Sequence, residues 1–156
     1  MKRAFTALGV IFALILVAIL VGGVFLFVRG DALDRESKTY ADAAIRAIVT
    51  SWDVTQLERR ESPEFRKATT PEQLATLFSS FRRLGKLREY NGLIGQALMV
   101  ATTQNGGSIT ASYITDADFE NGSAKIQINL VKHGDQWQIL GFRVNAGKLK
   151  PRESNI

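Results

Sequence analysis

The stretch "DADFENGSAKIQINLVKHGDQWQILGFRVN", Asp116–Asn145, decides how this chain is read. Ala124, Ile126, Ile128 and Leu130 alternate with Lys125, Gln127 and Asn129. A period of two belongs to a strand with one buried face. The turn residues "ENG" at 120–122 and "HGD" at 133–135 then delimit strands over 123–132 and 136–144. Upstream, the same signals predict strands over 108–119, 96–103 and 87–94, with a turn at "QNGG", 104–107. Together they make an antiparallel meander buried on one face. Gly92, Gly95 and Gly141 mark bends or bulges within it.

The same stretch invites a reading as a site. Asp116, Asp118 and Glu120 fall at the first, third and fifth positions of a calcium loop. Asn121 then stands where that loop needs glycine, and Gln127 where it needs a bidentate glutamate. Solvated acids beside a hairpin turn fit better. His133, the chain's one histidine, sits next to Gly134 with no cysteine in the chain to accompany it. Imidazole titrates near neutral pH and could serve as base or ligand, but a turn residue at an exposed tip is the simpler reading. No nucleophile elbow or glycine-rich phosphate loop appears. No catalytic, cofactor-binding or metal-ligating residue is therefore assigned, and no cofactor is expected.

Composition sets the frame. The chain has 156 residues, 46% hydrophobic and 22% charged, with a net charge of +5. That is enough for one packed domain and an appendage, and too apolar for a disordered chain. The appendage is the N-terminus. Lys2 and Arg3 precede 25 uncharged residues, Ala4 to Val28, before Arg29. About 20 helical residues cross a bilayer core. A cleaved signal peptide would share the basic start, but its apolar region usually runs only about 7–15 residues. Residues 1–30 are read as an uncleaved anchor, 31–146 as the domain and 147–156 as a polar tail. Basic residues favour the cytoplasm, so the N-terminus is placed inside and the domain outside, periplasmic or extracellular.

Two helices precede the sheet. Ala41, Ile45, Ile48, Val49 and Trp52 share a face over 36–60. Pro63 breaks the pattern. Thr70, Pro71 and Gln73 then form a capping box for a second helix striped by Leu74, Leu77, Phe78 and Phe81, which Gly85 ends. Two or more helices packed on a curved antiparallel sheet make an α+β domain. Between 59 and 88 lie Arg59, Arg60, Arg66, Lys67, Arg82, Arg83, Lys86 and Arg88, interleaved with glutamates. They read as a solvated face or as contacts to anionic headgroups. No aromatic platform accompanies them, so nucleic acid is not expected as a partner.

The pieces "FENGSAKI" and "WQILGFRV", with the Tyr113 strand before them and the segment "WDVTQLERRESPEFRKATTPEQLATLFSSFRRLGKL" upstream, resemble the nuclear transport factor two-like (cystatin-like cone) superfamily over roughly 37–146. Its bacterial membrane-anchored members of unassigned function look most similar. The resemblance implies a cone-shaped domain and says little of function, since that superfamily holds enzymes, binding domains and scaffolding parts. The expected role is an interaction or assembly module without catalysis, a homodimer or membrane-complex subunit, held in the bilayer by residues 4–28. One alternative is a domain that binds a small apolar ligand or lipid, with Trp52, Phe78, Phe81, Tyr113 and Trp137 lining the pocket. A second is an isomerase or hydrolase, which needs an acid in the cone beside Tyr113. Strand parity turns Asp116 and Asp118 away from Tyr113.

Overall fold

The computed structural model describes residues 30–100 and 108–147, without the side chains of 98–100. The chain divides into two compact units, Met1–Leu33 and Asp34–Ile156. The expected anchor, the "QNGG" turn and all of the tail beyond Gly147 lie outside the described residues. Among those described, no helix is long and apolar enough to cross a membrane.

Residues 30–51 are helical, and α1 denotes the part from 34 to 51 that belongs to the second unit. Ser37, Ala41, Ala44, Ile45, Ile48 and Val49 are buried at steps of three, four and one. That is the single stripe an amphipathic helix turns to its core. The sequence pattern extends this helix to residue 60, but it stops at Trp52, which takes φ 48°. A bulky side chain rarely enters this left-handed region. Asp53 supplies the reason for the break. Its carboxylate accepts from the Thr55 amide at 3.0 Å and the Thr55 hydroxyl at 2.7 Å, starting α2 (Val54–Glu58).

Pro63 does not merely interrupt. Ser62 accepts from the Phe65 amide at 3.2 Å and caps α3 (Pro63–Ala68), with the proline in the first turn where its missing N–H costs nothing. α4 (Pro71–Phe81) begins on the expected capping box. The Gln73 amide donates to Thr70 Oγ1 at 3.3 Å, and the Thr70 amide donates to Gln73 Oε1 at 2.9 Å. Its buried stripe is narrower than expected. Leu74 and Phe78 are buried and Phe81 half-buried, but Leu77 is 48% exposed, one step off the face. A 3₁₀ turn (Arg82–Leu84) and Gly85, at φ 80°, close the helical segment.

Five strands form one open antiparallel sheet in which β1 (Leu87–Tyr90) and β2 (Ile94–Val100) both pair with β3 (Ser108–Phe119), which pairs with β4 (Gly122–His133), which pairs with β5 (Gln136–Ala146). The break between β1 and β2 spans residues 91–93 around Gly92, whose φ of 78° favours glycine. In β3, Ala111, Tyr113, Thr115, Ala117 and Phe119 are buried; in β4, Ala124, Ile126, Ile128 and Leu130 are. Residues directly opposite share a face. Tyr113 faces Ile128 and Ala111 faces Leu130, so the buried face is continuous. The register of β5 shifts near Gly141. Leu130 pairs with Ile139 but Asn129 pairs with Gly141, leaving Leu140 extra. The shift re-aims the strand, so that Trp137 and Ile139 before it and Phe142 and Val144 after it join the inner face.

Candidate functional site

The five aromatic residues expected to share a pocket fall into three places. Trp52, Phe78 and Phe81 meet at the end of α1, joined by Phe119 from β3. Ring centroids lie 5.4 Å apart for Trp52–Phe81, 5.3 Å for Trp52–Phe119 and 5.8 Å for Phe78–Phe81. These separations are those of packed aromatic pairs. The Trp52 indole donates to the Gly85 carbonyl at 3.3 Å, which helps hold the unusual backbone at Trp52. Tyr113 sits elsewhere on the inner face, and Trp137 lies at the start of β5.

Tyr113 is fully buried, and its hydroxyl has polar company. It lies 2.8 Å from Ser37 Oγ and donates toward Asp34 Oδ1 at 3.0 Å. The same carboxylate oxygen accepts from the Ala97 amide of β2 at 2.9 Å. An acid therefore stands beside Tyr113, and it is Asp34. Neither Asp116 nor Asp118 is. The sequence hid this because Asp34 lies next to the expected anchor, 79 positions from Tyr113. Burial pushes the Tyr113 phenol up to about 12. A protonated phenol that donates to a carboxylate, itself held by a backbone amide, ties α1 to β2 and β3.

Of the acids of the calcium-like stretch, Asp116 and Glu120 are engaged separately, with different partners. Asp116 is exposed on the opposite face and pairs with Lys125 at 2.8 Å. Glu120 accepts from the Lys86 amide at 3.0 Å, and the Asn121 side chain donates to the Arg83 carbonyl at 2.9 Å. These contacts fasten the β3–β4 turn to the segment after α4. His133 is exposed, but it is the last residue of β4 and not part of the turn, and it has a companion. Glu64 of α3 lies 3.2 Å from its Nε2. A bond from the Glu64 backbone amide, then Ser62 and then His133, hold the Glu64 carboxyl below its usual range.

The basic residues between 59 and 88 scatter over the turn after α2, α3, the 3₁₀ turn and the start of the sheet. Arg66 pairs with Glu61 at 2.6 Å, Arg60 donates to Gln56 Oε1 at 3.0 Å and Arg82 to the Trp52 carbonyl at 3.3 Å.

Among the described residues, two surfaces stand open. One is the outer sheet face. Ile94 is 81% exposed and Ile114, its register partner, 38%. Gln127 and Arg143 continue that row across β4 and β5. The other is a groove of about 720 Å³ between α1, α2 and the start of β5, lined among others by Tyr40, Ala43, Arg59, Arg60 and Trp137. Burial raises the Tyr40 phenol there, and Arg60 opposes the shift. Trp137 is buried, and its indole N–H has no hydrogen-bond partner among the described residues. Leaving such a donor unpaired costs about 1–3 kcal/mol. No family model, curated protein or solved structure matches the chain.

Proposed function

We propose that this chain is a single-pass membrane protein, similar to the nuclear transport factor two-like superfamily, that displays a cone-shaped interaction or assembly domain outside the cytoplasm and pairs with a second copy through its outer sheet face. The anchor reading rests on the uncharged run from Ala4 to Val28 behind Lys2 and Arg3. The observation that carries the interaction reading is the contrast between the sheet's faces. Helical side chains pack the inner face, while Ile94 and Ile114 stand paired and exposed on the outer one. An exposed β-branched pair on β2 and β3, at one side of the outer face, offers a nucleus for an isologous contact, because a two-fold axis sets the same patch of each copy against the other. The aromatic contacts around Trp52 support core filling there in preference to a ligand pocket. The Asp34–Ser37–Tyr113 group supports a structural tie, since every one of its polar atoms named above already has a protein partner.

Membrane placement has a direct test, because the chain holds no cysteine. Ser123→Cys puts a single thiol on an exposed position of β4. A membrane-impermeant maleimide added to intact cells labels it if the domain lies outside. Labelling that appears only after lysis contradicts the reading.

A further inference from the structure

We propose that the groove beside β5 takes an extended acidic peptide segment of a partner protein, added as a strand along Asp135–Gln138 with its carboxylates against Arg59 and Arg60. This surface is separate from the outer sheet face and goes beyond the pairing proposed there.

The first observation is the strand edge. β5 is the outermost strand of the sheet. The chain already uses that edge once, through residues 60–62. The Ile139 amide donates to the Arg60 carbonyl at 2.7 Å, and the Ser62 amide donates to the Ile139 carbonyl at 2.8 Å. Outward-facing backbone pairs recur at every second residue of an antiparallel edge. The amide and carbonyl of Trp137 therefore also face outward, where the groove lies. α2 turns the chain away before it can reach them, and no hydrogen bond outside the β4–β5 ladder engages them among the described residues. An edge with free amides and carbonyls, walled by a helix, is the arrangement that accepts an added strand.

The second observation is the balance of donors and charge. Of the two acids lining the groove, Glu36 is neutralised by Lys132 at 2.7 Å, and Asp135 sits at the β4–β5 turn. The opposite wall carries Arg59 and Arg60. Neither has a carboxylate within ion-pair distance among the described residues, and Arg60 is held in place by Gln56. Trp137 lines the groove, and its indole N–H is buried and unpartnered among the described residues, which makes it a reporter of what enters rather than an exposed donor. Guanidinium groups and N–H donors call for carboxylates and carbonyls, which an acidic strand supplies together.

The test uses the full-length chain in neutral-lipid nanodiscs. An acetylated, amidated octapeptide of alternating threonine and valine with two central glutamates is titrated in, beside the same peptide with two lysines. The indole and backbone amide resonances of Trp137 are followed by NMR, with the Trp52 indole as internal control. The expected result is a saturable shift at Trp137 alone, with the glutamate peptide binding at least tenfold more tightly than the lysine one. Arg59→Glu and Ala43→Trp, both exposed positions, should each weaken binding tenfold or more while the melting temperature holds. No response at Trp137, an equal response to both peptides, or full binding by both variants overturns the proposal. So does a shift that follows protein concentration and ignores peptide, which would place a second copy in the groove. None of these readouts depends on pairing through the sheet face.

Discussion

Tyr113 joins α1, β2 and β3 through one hydroxyl, by way of Ser37 and Asp34. Removing that hydroxyl leaves Ser37 its second contact, to the Asp34 carbonyl at 3.2 Å, and leaves Asp34 the Ala97 amide. Tyr113→Phe is therefore expected to cost only about 1 kcal/mol at neutral pH, measured by urea unfolding. The same residue sets an alkaline limit. Its phenol titrates at about 12 in the folded chain against 10.0 ordinarily. The unfolded chain loses this proton first as pH rises. The stability contributed is complete below pH 10 and drains away as pH climbs through about 12. Tyr90 is raised as well, chiefly by burial, and adds to the same loss. The Phe variant should lose stability less steeply than the parent across that window, and an equal slope would contradict the assignment. At this scale the sequence was partly legible. Strand parity placed Tyr113 inward and Asp116 outward, because parity is a local property. The Asp34 partnership was not legible, since nothing local records a contact between residues so far apart in sequence.

The start of α4 and the turns that flank β4 were the most readable elements, because capping and turn chemistry are encoded within four residues. Thr70 and Gln73 announced α4 and cap it as expected. Thr70→Ala should lower stability by about 1 kcal/mol in thermal unfolding, with the fold retained. Gly95 is a stronger constraint. Its φ is 148°, and a Cβ there would collide with the Ser112 carbonyl oxygen and press on Tyr113. Gly95→Ala should cost about 3 kcal/mol or more and loosen the β2–β3 pairing first, visible as faster amide exchange in Ser112 and Tyr113. Near-normal stability would show that the strands can separate slightly without loss. The breaks at Trp52 and Ser62 were harder to see. Helical periodicity runs straight through "TSWDVTQLERR", and only the Asp53 cap with the tertiary lock on Trp52 divides it. "ESPEF" holds a serine cap and a proline at the first helical position, a signal that reads equally as a loop.

For the whole molecule, alternation in β3, β4 and β5 made the α+β sheet readable, while the position of its open surfaces was not. A groove forms where α1, α2 and β5 converge, and sequence spacing does not report convergence. The outer face is different: Ile94 and Ile114 are each ordinary strand residues, and only the register brings them opposite one another. The central claim is that this face joins two copies of the chain. With no native cysteine, Ile114→Cys carries the only thiol. Membranes holding that variant are treated with a short bis-maleimide, beside Ala43→Cys on the helical side as a control. The account predicts a cross-linked band at twice the chain's mass for Ile114→Cys, absent for Ala43→Cys and abolished when Ile94→Glu is added. A monomer from Ile114→Cys under conditions where its thiol is fully alkylated by a simple maleimide would contradict it.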